Sequence, residues 1–296
     1  MPAGEFAAIA RFERLFGPSP PGEVGIGDDA AVVVPPAGPL LLAADTIVEG
    51  VHFDLGLVGL DDVGWKAVVV NVSDLAAMGG LPLHALVTVA GPSSTDLDTL
   101  YRGIAEATEE YGCRVVGGDL SNAPTLVITV ALTGTVEGEP VLRSGARAGD
   151  DIYVTGPLGA SAAALRALRA GGGGRSSDAY RRPQARAAEG IAIRRRGATA
   201  MIDVSDGLAA DLGHIAHASG VGIALDDVPV AAGATLDDAL GGGEDFELAF
   251  TAPPNFGVDT WIRIGACTSD PDHRSLRGQP LPATGWEHRW GPEVPT

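Results

Sequence analysis

Lysine is almost absent from this 296-residue sequence, because Lys66 is the only one among the 20 lysine and arginine residues. A phosphate-binding loop of the G-x-x-x-x-G-K-[ST] type, the strand lysine of a protein kinase and a pyridoxal-phosphate Schiff base would each have to use Lys66. Its surroundings, Gly-Trp-Lys-Ala-Val, match none of these patterns. The hydrolase motifs G-x-S-x-G and H-E-x-x-H are absent as well. These enzyme classes are therefore excluded.

Cysteines and long apolar runs are also scarce. Cys113 and Cys267 are too few for a disulfide framework or a four-thiolate metal site, which favours the reducing cytoplasm. No apolar run approaches the ~18 residues that would span a bilayer. The N-terminal segment has scattered charges and lacks the apolar centre of a signal peptide. We therefore expect a cytoplasmic protein with no membrane segment.

Positive charge is in the minority, since 38 acidic and 20 basic residues give a formal net charge of −18. Such a surface repels nucleic acids and anionic membranes, so neither is an expected partner. Hydrophobic residues make up 45% of the chain and charged residues 20%, as in a globular protein. The length of 296 residues favours two domains.

Strand-like and helix-like patterns alternate in the first half of the chain, which predicts an α/β or α+β fold. Glycines, prolines and capping residues separate the segments. The predicted helices cover residues 5–16, 63–78 and about 94–111, and the predicted strands cover residues 31–34, 40–44, 85–89, 114–116 and 126–132.

The pattern begins again near residues 143–151, so we place a domain boundary there and expect domains at 1–140 and 141–296. The second half predicts further strand-to-helix units. Its four consecutive glycines, within residues 171–178, predict a flexible surface loop. Val-Ser-Asp and Leu-Ala-Ala occur near both Asp74 and Asp206, which leaves open an origin of the two halves by duplication.

Acidic residues recur beside glycines or at the ends of predicted strands. Several carboxylates that converge at a sheet edge repel one another unless hard cations lie between them. Magnesium suits such a site because it takes oxygen ligands and keeps positions for phosphate and water. The motifs are Gly27-Asp28-Asp29, Ala44-Asp45-Thr46, Ser73-Asp74, Gly118-Asp119, Asp203-Val-Ser-Asp206 and Gly243-Glu244-Asp245.

Three alternative interpretations stay open at this point. Each acid alone is typical of a helix cap or a turn, although six such motifs favour a shared site. The segment Gly-Ile-Gly-Asp-Asp-Ala formally matches a dinucleotide fingerprint, but a strand rather than a helix is predicted after it. His214 and His217, with Asp211 one turn earlier, have the spacing of a minor zinc-site candidate.

Taken in order, GIGDDAAVV, DTIVEGVHF, NVSDLAAMGG, YGCRVVGGDLS, RSGARAGDDIYVTGPLG, IDVSDGLAADLGHI and GGGEDFELAF resemble the thiamine-monophosphate kinases. These enzymes belong to the superfamily of aminoimidazole ribonucleotide synthetase. The resemblance spans about residues 4–250, with a fainter match at Gly-Trp-Glu-His near the end. It implies an N-terminal ATP- and magnesium-binding domain that dimerises through its sheet, and a C-terminal α+β domain that closes the substrate cleft.

The resemblance also implies roles for individual residues. The implied metal ligands are Asp29, Asp45, Asp74, Asp119, Asp203 and Asp206, of which Asp29, Asp74 and Asp203 are the catalytic candidates. The implied ATP-binding residues are Tyr101, Gly117, Gly118, Asp119, Arg143 and Ser205. The implied acceptor-binding residues are His52, Glu244 and Trp286. One departure stands out: Ala43 and Ala44 replace hydroxyl residues that commonly precede the Asp-Thr motif, so side-chain coordination there is lost.

The activity implied is direct in-line transfer of a phosphoryl group from ATP to thiamine monophosphate, with several magnesium ions and a homodimeric enzyme. Little acid-base catalysis is needed, because a phosphate monoester is already largely ionised at neutral pH. Another ATP-using enzyme of the superfamily is an alternative. Selenophosphate synthetase and the hydrogenase-maturation dehydratase usually carry cysteines that this chain lacks. A non-catalytic nucleotide- or cation-binding homologue is an alternative of another class.

Overall fold

The structure is a computed structural model that describes residues 4–172, 177–254, 256 and 260–288. In the first half, helices cover one face of a four-stranded sheet. The strand order is β1-β4-β2-β3, with β4 antiparallel to both neighbours and β2 parallel to β3. The elements are α1 (Glu5–Phe16), β1 (Leu40–Val48), α2 (Leu60–Ala77), β2 (Leu81–Gly91), α3 (Leu97–Glu110), β3 (Arg114–Asn122) and β4 (Val127–Thr135).

The two faces of this sheet differ in exposure. Alternate residues of β4, from Ile128 to Gly134, are buried, as expected for a strand with one face on a core. The opposite face carries Leu40, Leu42 and Leu86, which are 52%, 73% and 46% exposed. One chain therefore leaves an apolar sheet face uncovered, which is typical of an interaction surface.

Helix α2 is buried on almost every side. It lies so close to α3 that a Cβ atom on Gly103 would collide with the carbonyl oxygen of Asp61. In the same way, a Cβ atom on Gly64 would collide with the carbonyl oxygen of Leu100. Only glycine permits this approach, and it holds α2 firmly against the first core.

The second half forms a seven-stranded sheet in the order β11-β10-β7-β9-β5-β8-β6. Only β10 and β7 are parallel neighbours among these strands, as far as the described residues extend. The elements are β5 (Asp151–Val154), α4 (Ala160–Arg169), α5 (Asp178–Arg181), α6 (Ala187–Arg196), β6 (Ala200–Asp203), α7 (Leu208–Ser219), β7 (Gly222–Leu225), α8 (Leu236–Gly241), β8 (Leu248–Ala252), β9 (Ile262–Thr268), β10 (Arg274–Leu276) and β11 (Gln279–Pro280).

Helix α2 also joins the two halves, because it packs on α6 and beside β6. The backbones of α2 and α6 approach closely at Gly190, where a Cβ atom would collide with the carbonyl oxygen of Ala76. Nearby, the Ser73 hydroxyl donates a 2.7 Å hydrogen bond to the Asp203 carboxylate. The two segments that share the Val-Ser-Asp sequence therefore meet at the junction between the halves.

The predicted α/β (α+β) fold is confirmed, and helix α1 has the predicted bounds. The predicted strand at 31–34 is wrong, because this segment forms only an isolated bridge between Val24 and Val32. Val32 and Val34 are 53% and 59% exposed, so no core holds the segment in a sheet. Residues 173–176 of the predicted glycine loop lie outside the described residues. Within the described part of the chain, every helix is too short or too polar to cross a membrane.

Candidate active site

Four aspartates from both halves of the chain lie together at the junction, and we call them the central carboxylates: Asp45, Asp74, Asp203 and Asp206. Asp45 lies within β1, Asp74 within α2, Asp203 at the end of β6 and Asp206 in the turn before α7. The Asp45 and Asp74 carboxyl groups share a hydrogen bond. The backbone N–H of Asp45 also donates to Asn71 Oδ1 at 2.9 Å, which ties β1 to α2.

Burial disfavours the ionised form of these carboxyl groups and so raises their pKa values. It is the largest influence on Asp74, whose pKa rises to about 8, and the charges of Asp203 and Asp45 raise it further. Burial raises the pKa of Asp203 to about 6, although the Ser73 hydrogen bond opposes this change. The pKa of Asp45 is also raised by burial. Crowded, desolvated oxygen donors of this kind suit a hard cation, which would remove their mutual repulsion.

Arg143 and Ser205 were predicted to bind ATP together with Tyr101 and Gly117-Gly118, but the structure places them near the central carboxylates and not in the wall of the loop cavity described below. Arg143 is exposed, and its charge acts to lower the pKa of Asp74, Asp203 and Asp206 against the raising effect of burial. Ser205 is half-buried, and its carbonyl oxygen accepts a 2.8 Å hydrogen bond from the backbone N–H of Glu244.

A second group of predicted residues lines a cavity of about 830 Å³, which we call the loop cavity. Its wall includes Gly27-Asp28-Asp29, Tyr101 and Gly117-Gly118-Asp119. The Tyr101 ring stacks on Phe12 with ring centroids 3.7 Å apart, so α1 helps to place it. The predicted ATP-binding residues of the first half and Asp29 therefore lie around one space.

Glu23 anchors the loop that carries Asp29. Its carboxylate accepts hydrogen bonds from the Arg114 guanidinium of β3 and, at 3.3 Å, from the backbone N–H of Val34. The bridge between Val24 and Val32 closes the same loop. Asp28 and Asp29 themselves are exposed.

The loop cavity and the central carboxylates lie on different edges of the first sheet. Asp45 aligns through Val130 and Val87 with Gly118, so two strands separate β1 from β3. Three strand spacings correspond to about 14 Å, too far for side chains of Asp45 and Asp119 to share one cation within a single chain. The six predicted metal ligands thus form two groups, with Asp29 and Asp119 in the second.

The three predicted acceptor-binding residues lie in one neighbourhood, which we call the His52 cluster: His52, Glu244, Trp286 and His288, with Lys66 and Tyr180. The His52 and His288 rings have centroids 5.2 Å apart, and those of Trp286 and His288 are 5.8 Å apart. Lys66 Nζ lies 2.6 Å from Glu244 Oε1. The backbone N–H of Trp286 donates to the Asp206 carbonyl oxygen at 3.0 Å, which connects this cluster to the central carboxylates.

Sequence reasoning missed Lys66, Tyr180 and His288 as parts of these sites, and it named Asp211 only beside the zinc candidate. Lys66 carried a signal, since it is the only lysine. Asp211 is buried, and its Oδ2 accepts hydrogen bonds from the backbone N–H groups of Asp206 and Gly207 at 3.2 and 3.0 Å. It therefore holds the turn that carries Asp206.

The zinc alternative takes a different form in the structure. Asp206, Asp211 and His214 bring ligand atoms within 4.8 Å of one another, whereas His217 does not join this group. Because Asp211 already accepts two backbone hydrogen bonds, its position is explained by the turn. The strand-end positions predicted for Asp45 and Asp119 need correction, since both residues lie inside strands. Asp74 lies in α2, within the helix predicted at 63–78.

Comparison with known proteins agrees with this architecture. The family model described as AIR synthase related protein, N-terminal domain, matches residues 27–136, and that of the C-terminal domain matches residues 147–258. The thiamine-monophosphate kinase of Bacillus subtilis (strain 168) is 39% identical over 251 residues, which cover 77% of this chain and 77% of the relative.

Solved structures give the same result. The thiamine-monophosphate kinase of Stenotrophomonas maltophilia K279a matches with a TM-score of 0.82 and 33% identity, covering 93% of this chain and 97% of the other. The structure of AaThiL complexed with AMPPCP and TMP matches with a TM-score of 0.79 and 35% identity, covering 97% of both chains. The chain therefore belongs to the thiamine-monophosphate kinase family, as an enzyme built from the two domains of AIR synthase related proteins.

Proposed function

We propose that this protein transfers the γ-phosphoryl group of ATP to thiamine monophosphate and releases thiamine diphosphate and ADP. The observation that carries the proposal is the convergence of Asp45, Asp74 and Asp203 from both halves at one buried junction. The AaThiL structure, 35% identical to this chain, is described as a complex with AMPPCP and TMP. Its ligands support both the donor and the acceptor that we propose.

The central carboxylates fit magnesium, because they are hard oxygen donors whose burial, and then mutual repulsion, disfavours ionisation without a cation. Asp45, Asp74, Asp203 and Asp206 would hold ions on this side, and Asp29 and Asp119 on the side of the loop cavity. Bound magnesium supplies charge neutralisation for the phosphate oxygens. Neither Ala43 nor Ala44 offers a side-chain ligand, so a backbone carbonyl or water takes that place.

The loop cavity is the proposed ATP site. At Gly118 a Cβ atom would collide with the carbonyl oxygen of Val87, so β3 needs glycine there to lie against β2. Gly117 and Gly118 line the cavity and have no side chains that would obstruct a nucleotide. Tyr101 provides a ring at the wall of the cavity. Arg143 and Ser205 lie with the central carboxylates, where a guanidinium and a hydroxyl are suited to phosphate oxygens.

The His52 cluster is the proposed acceptor site. Trp286 is 53% exposed and offers a flat face to the cationic thiazolium ring of thiamine. Glu244 offers a carboxylate, but Lys66 already pairs with Oε1, so the attraction to a cation is weaker than that of a free carboxylate. Glu244 is thus better suited to orient the acceptor through its second oxygen than to bind it by charge alone.

A homodimer would bring the two groups of metal ligands together. The uncovered sheet face with Leu40, Leu42 and Leu86 is apolar, and a second copy of the chain is its proposed occupant. The central carboxylates and the loop cavity lie on different edges of that sheet. If two sheets pack with β1 of one copy beside β3 of the other, the cavity of one copy lies near the carboxylates of the other. Each active site would then contain residues of both chains.

In the proposed reaction, the acceptor phosphate oxygen attacks the γ-phosphorus of ATP in line with the departing ADP oxygen. The new P–O bond forms as the bond to ADP breaks, with no phosphoenzyme. The protein residues mainly align the two substrates and exclude water, because the attacking phosphate is already ionised. In this reaction the carboxylates hold magnesium ions and do not act as bases. They are those of Asp29, Asp74 and Asp203.

We also propose two domains. Residues 1–140 form the domain that binds the nucleotide, and residues 141–296 form the domain that closes the acceptor site. The first sheet uses residues 40–135 and the second uses residues 151–280, which supports this division. A cytoplasmic location is proposed as well. Its support is that Cys113 and Cys267 are both free and buried.

A product assay tests the proposed function. The full chain is incubated with ATP and magnesium and with thiamine monophosphate, thiamine or aminoimidazole ribonucleotide precursors, and ADP and thiamine diphosphate are quantified. We expect the two products in equal amounts with thiamine monophosphate, and little product with thiamine. ADP release without an acceptor, or consumption only of aminoimidazole precursors, contradicts the proposal. Nucleotide binding without any turnover would favour the non-catalytic alternative.

A further inference from the structure

Lys66 occupies an unusual position for a lysine. It lies in the middle of the interdomain helix α2, and only 3% of it is exposed. All the other lysine-or-arginine positions in the sequence are arginines. An ammonium is compact and carries three donors, whereas a guanidinium is broad and planar. A chain that uses arginine everywhere else therefore indicates a specific need for the smaller group at this one buried position.

Three partners surround the Lys66 ammonium. Nζ donates to the His52 carbonyl oxygen at 3.0 Å and lies 2.6 Å from Glu244 Oε1. It also lies 4.3 Å from the centroid of the Tyr180 ring, in cation–π geometry. Protein groups therefore surround the ammonium, and with Lys66 only 3% exposed little of it is open to a substrate phosphate. Lys66 is therefore placed to hold protein groups rather than to bind phosphate.

The groups that it holds come from separate parts of the chain. His52 follows β1 in the first half, whereas Glu244 precedes β8 in the second. Glu244 has a φ of 56°, a left-handed conformation that is uncommon for a residue with a side chain. Such a conformation persists only where its surroundings fix it. The surroundings here are the Lys66 ion pair and the backbone hydrogen bond from Glu244 to Ser205.

We propose that Lys66 is the positioning residue of the acceptor site, which fixes the Glu244 carboxylate and the His52 loop across the domain junction before the acceptor binds. This inference rests on the proposed function, in which His52 and Glu244 contact a cationic phosphate ester. It assigns Lys66 no contact with the reacting atoms. The inference predicts that the affinity for the acceptor depends on Lys66, which is buried beneath the site, and that the affinity for the nucleotide does not.

The single lysine allows a direct spectroscopic test. Full-length protein labelled with 13Cε-lysine has one lysine signal per chain. We expect Glu244→Gln to shift this signal with no substrate present, and saturating thiamine monophosphate to shift it in the wild-type protein. A signal that Glu244→Gln leaves unchanged would overturn the inference, whatever the enzyme activity. Failure of the wild-type protein to make thiamine diphosphate would instead overturn the proposed function, and the Glu244→Gln comparison would still decide the role of Lys66.

Kinetics provide a second readout that a purely structural role would not give. We expect Lys66→Met to raise the KM for thiamine monophosphate about tenfold while the KM for ATP changes less than about twofold, and Lys66→Arg to recover part of the loss. Arg195→Met is the matched control, because it removes an exposed cation paired with Glu137 at 2.8 Å, and it should change neither KM. Equal increases in both KM values would contradict the inference. If Lys66→Met does not fold, the KM values of Lys66→Arg and the lysine signal of the labelled Glu244→Gln protein test the inference.

Discussion

The central carboxylates and the loop cavity are both rich in aspartate, yet they differ in how the fold supports them. Asp74 and Asp203 are desolvated by the packing of α2 against β6, and burial raises the pKa of both. Asp28 and Asp29 stand exposed on a loop that Glu23 and Arg114 fasten to the sheet. The first region is therefore preformed by core packing, whereas the second has its acidic groups in water.

This difference separates the roles that the two regions can have. Buried carboxylates cost stability until a cation joins them, so they can place a cation accurately. Exposed carboxylates cost the fold little stability, and their side chains can adapt to a ligand. By themselves they do not fix the position of that ligand. We therefore expect changes at the central carboxylates to act on turnover and changes at the loop cavity to act on nucleotide affinity.

The largest expected effect is that of Asp74→Asn. The substitution keeps the volume of the side chain and removes the charge that would hold a cation, so turnover should fall more than a hundredfold, roughly 3 kcal/mol of transition-state stabilisation. Steady-state kinetics at saturating magnesium measure the loss. Asp98→Asn, at an exposed aspartate paired with Arg11, is the control and should retain activity. Near-normal activity of Asp74→Asn would exclude Asp74 as a principal ligand.

Trp286→Ala should have the next largest effect on catalysis. Trp286 belongs to the His52 cluster and to neither group of aspartates. Loss of stacking and cation–π attraction, ~1 to 2 kcal/mol, should raise the KM for thiamine monophosphate about tenfold. The KM for ATP, measured on the same protein, serves as the internal control and should hardly change. If both KM values rose together, Trp286 would be a structural residue instead.

A smaller effect is expected for Glu23→Ala, which releases the loop of the cavity from Arg114 and Val34. The KM for ATP should rise a few-fold while turnover at saturating ATP is preserved. Glu137→Ala also removes a carboxylate paired with an arginine, Arg195, but at an exposed position that does not line the cavity, and it should have no effect. A fall in turnover with an unchanged KM for ATP would reverse the roles that we assign to the two regions.

The last prediction concerns stability and its dependence on pH, and not activity. The pKa of Asp74 is about 8 in the folded chain, against an ordinary value of 3.8. Between about pH 4 and about pH 8, therefore, the Asp74 carboxyl group is protonated in the folded state and ionised in the unfolded state. Stability of the metal-free protein should therefore fall as pH rises from about 4 to 8. Magnesium should restore it most at high pH.

Thermal unfolding with a chelator or with magnesium measures this dependence. We expect magnesium to raise Tm by a few degrees at pH 9 and by less at pH 6, since 1 kcal/mol corresponds to about 2–4 °C for a large domain. Asp74→Asn should reduce the difference between the two pH values. A magnesium effect that is equal at pH 6 and pH 9 would contradict the link to Asp74.

Most helices were predicted correctly because short periodic patterns are local signals. Glycine-flanked acids are local signals too, and they indicated the candidate metal ligands. The sequence could not separate Asp119 from Asp45, because that distance follows from the strand order β1-β4-β2-β3, which no local pattern encodes. The strand predicted at 31–34 failed because its valines have no core to pack on. The role of Lys66 was missed because its partner Glu244 lies far along the chain. The role of Asp211 in the turn before α7 was missed because its partners are backbone N–H groups.

Mixing two variants that are both inactive at an ATP concentration far below the KM of Asp119→Asn tests the central claim, that each site joins the central carboxylates of one copy to the loop cavity of another. Asp74→Asn and Asp119→Asn chains are purified separately, unfolded and refolded together, or coexpressed with different tags. Random pairing makes half of the dimers mixed, and each mixed dimer regains one intact site, so about a quarter of wild-type activity should return. Restored activity near that level supports a site shared between chains. A mixture that forms mixed dimers but stays as inactive as its parents would contradict it.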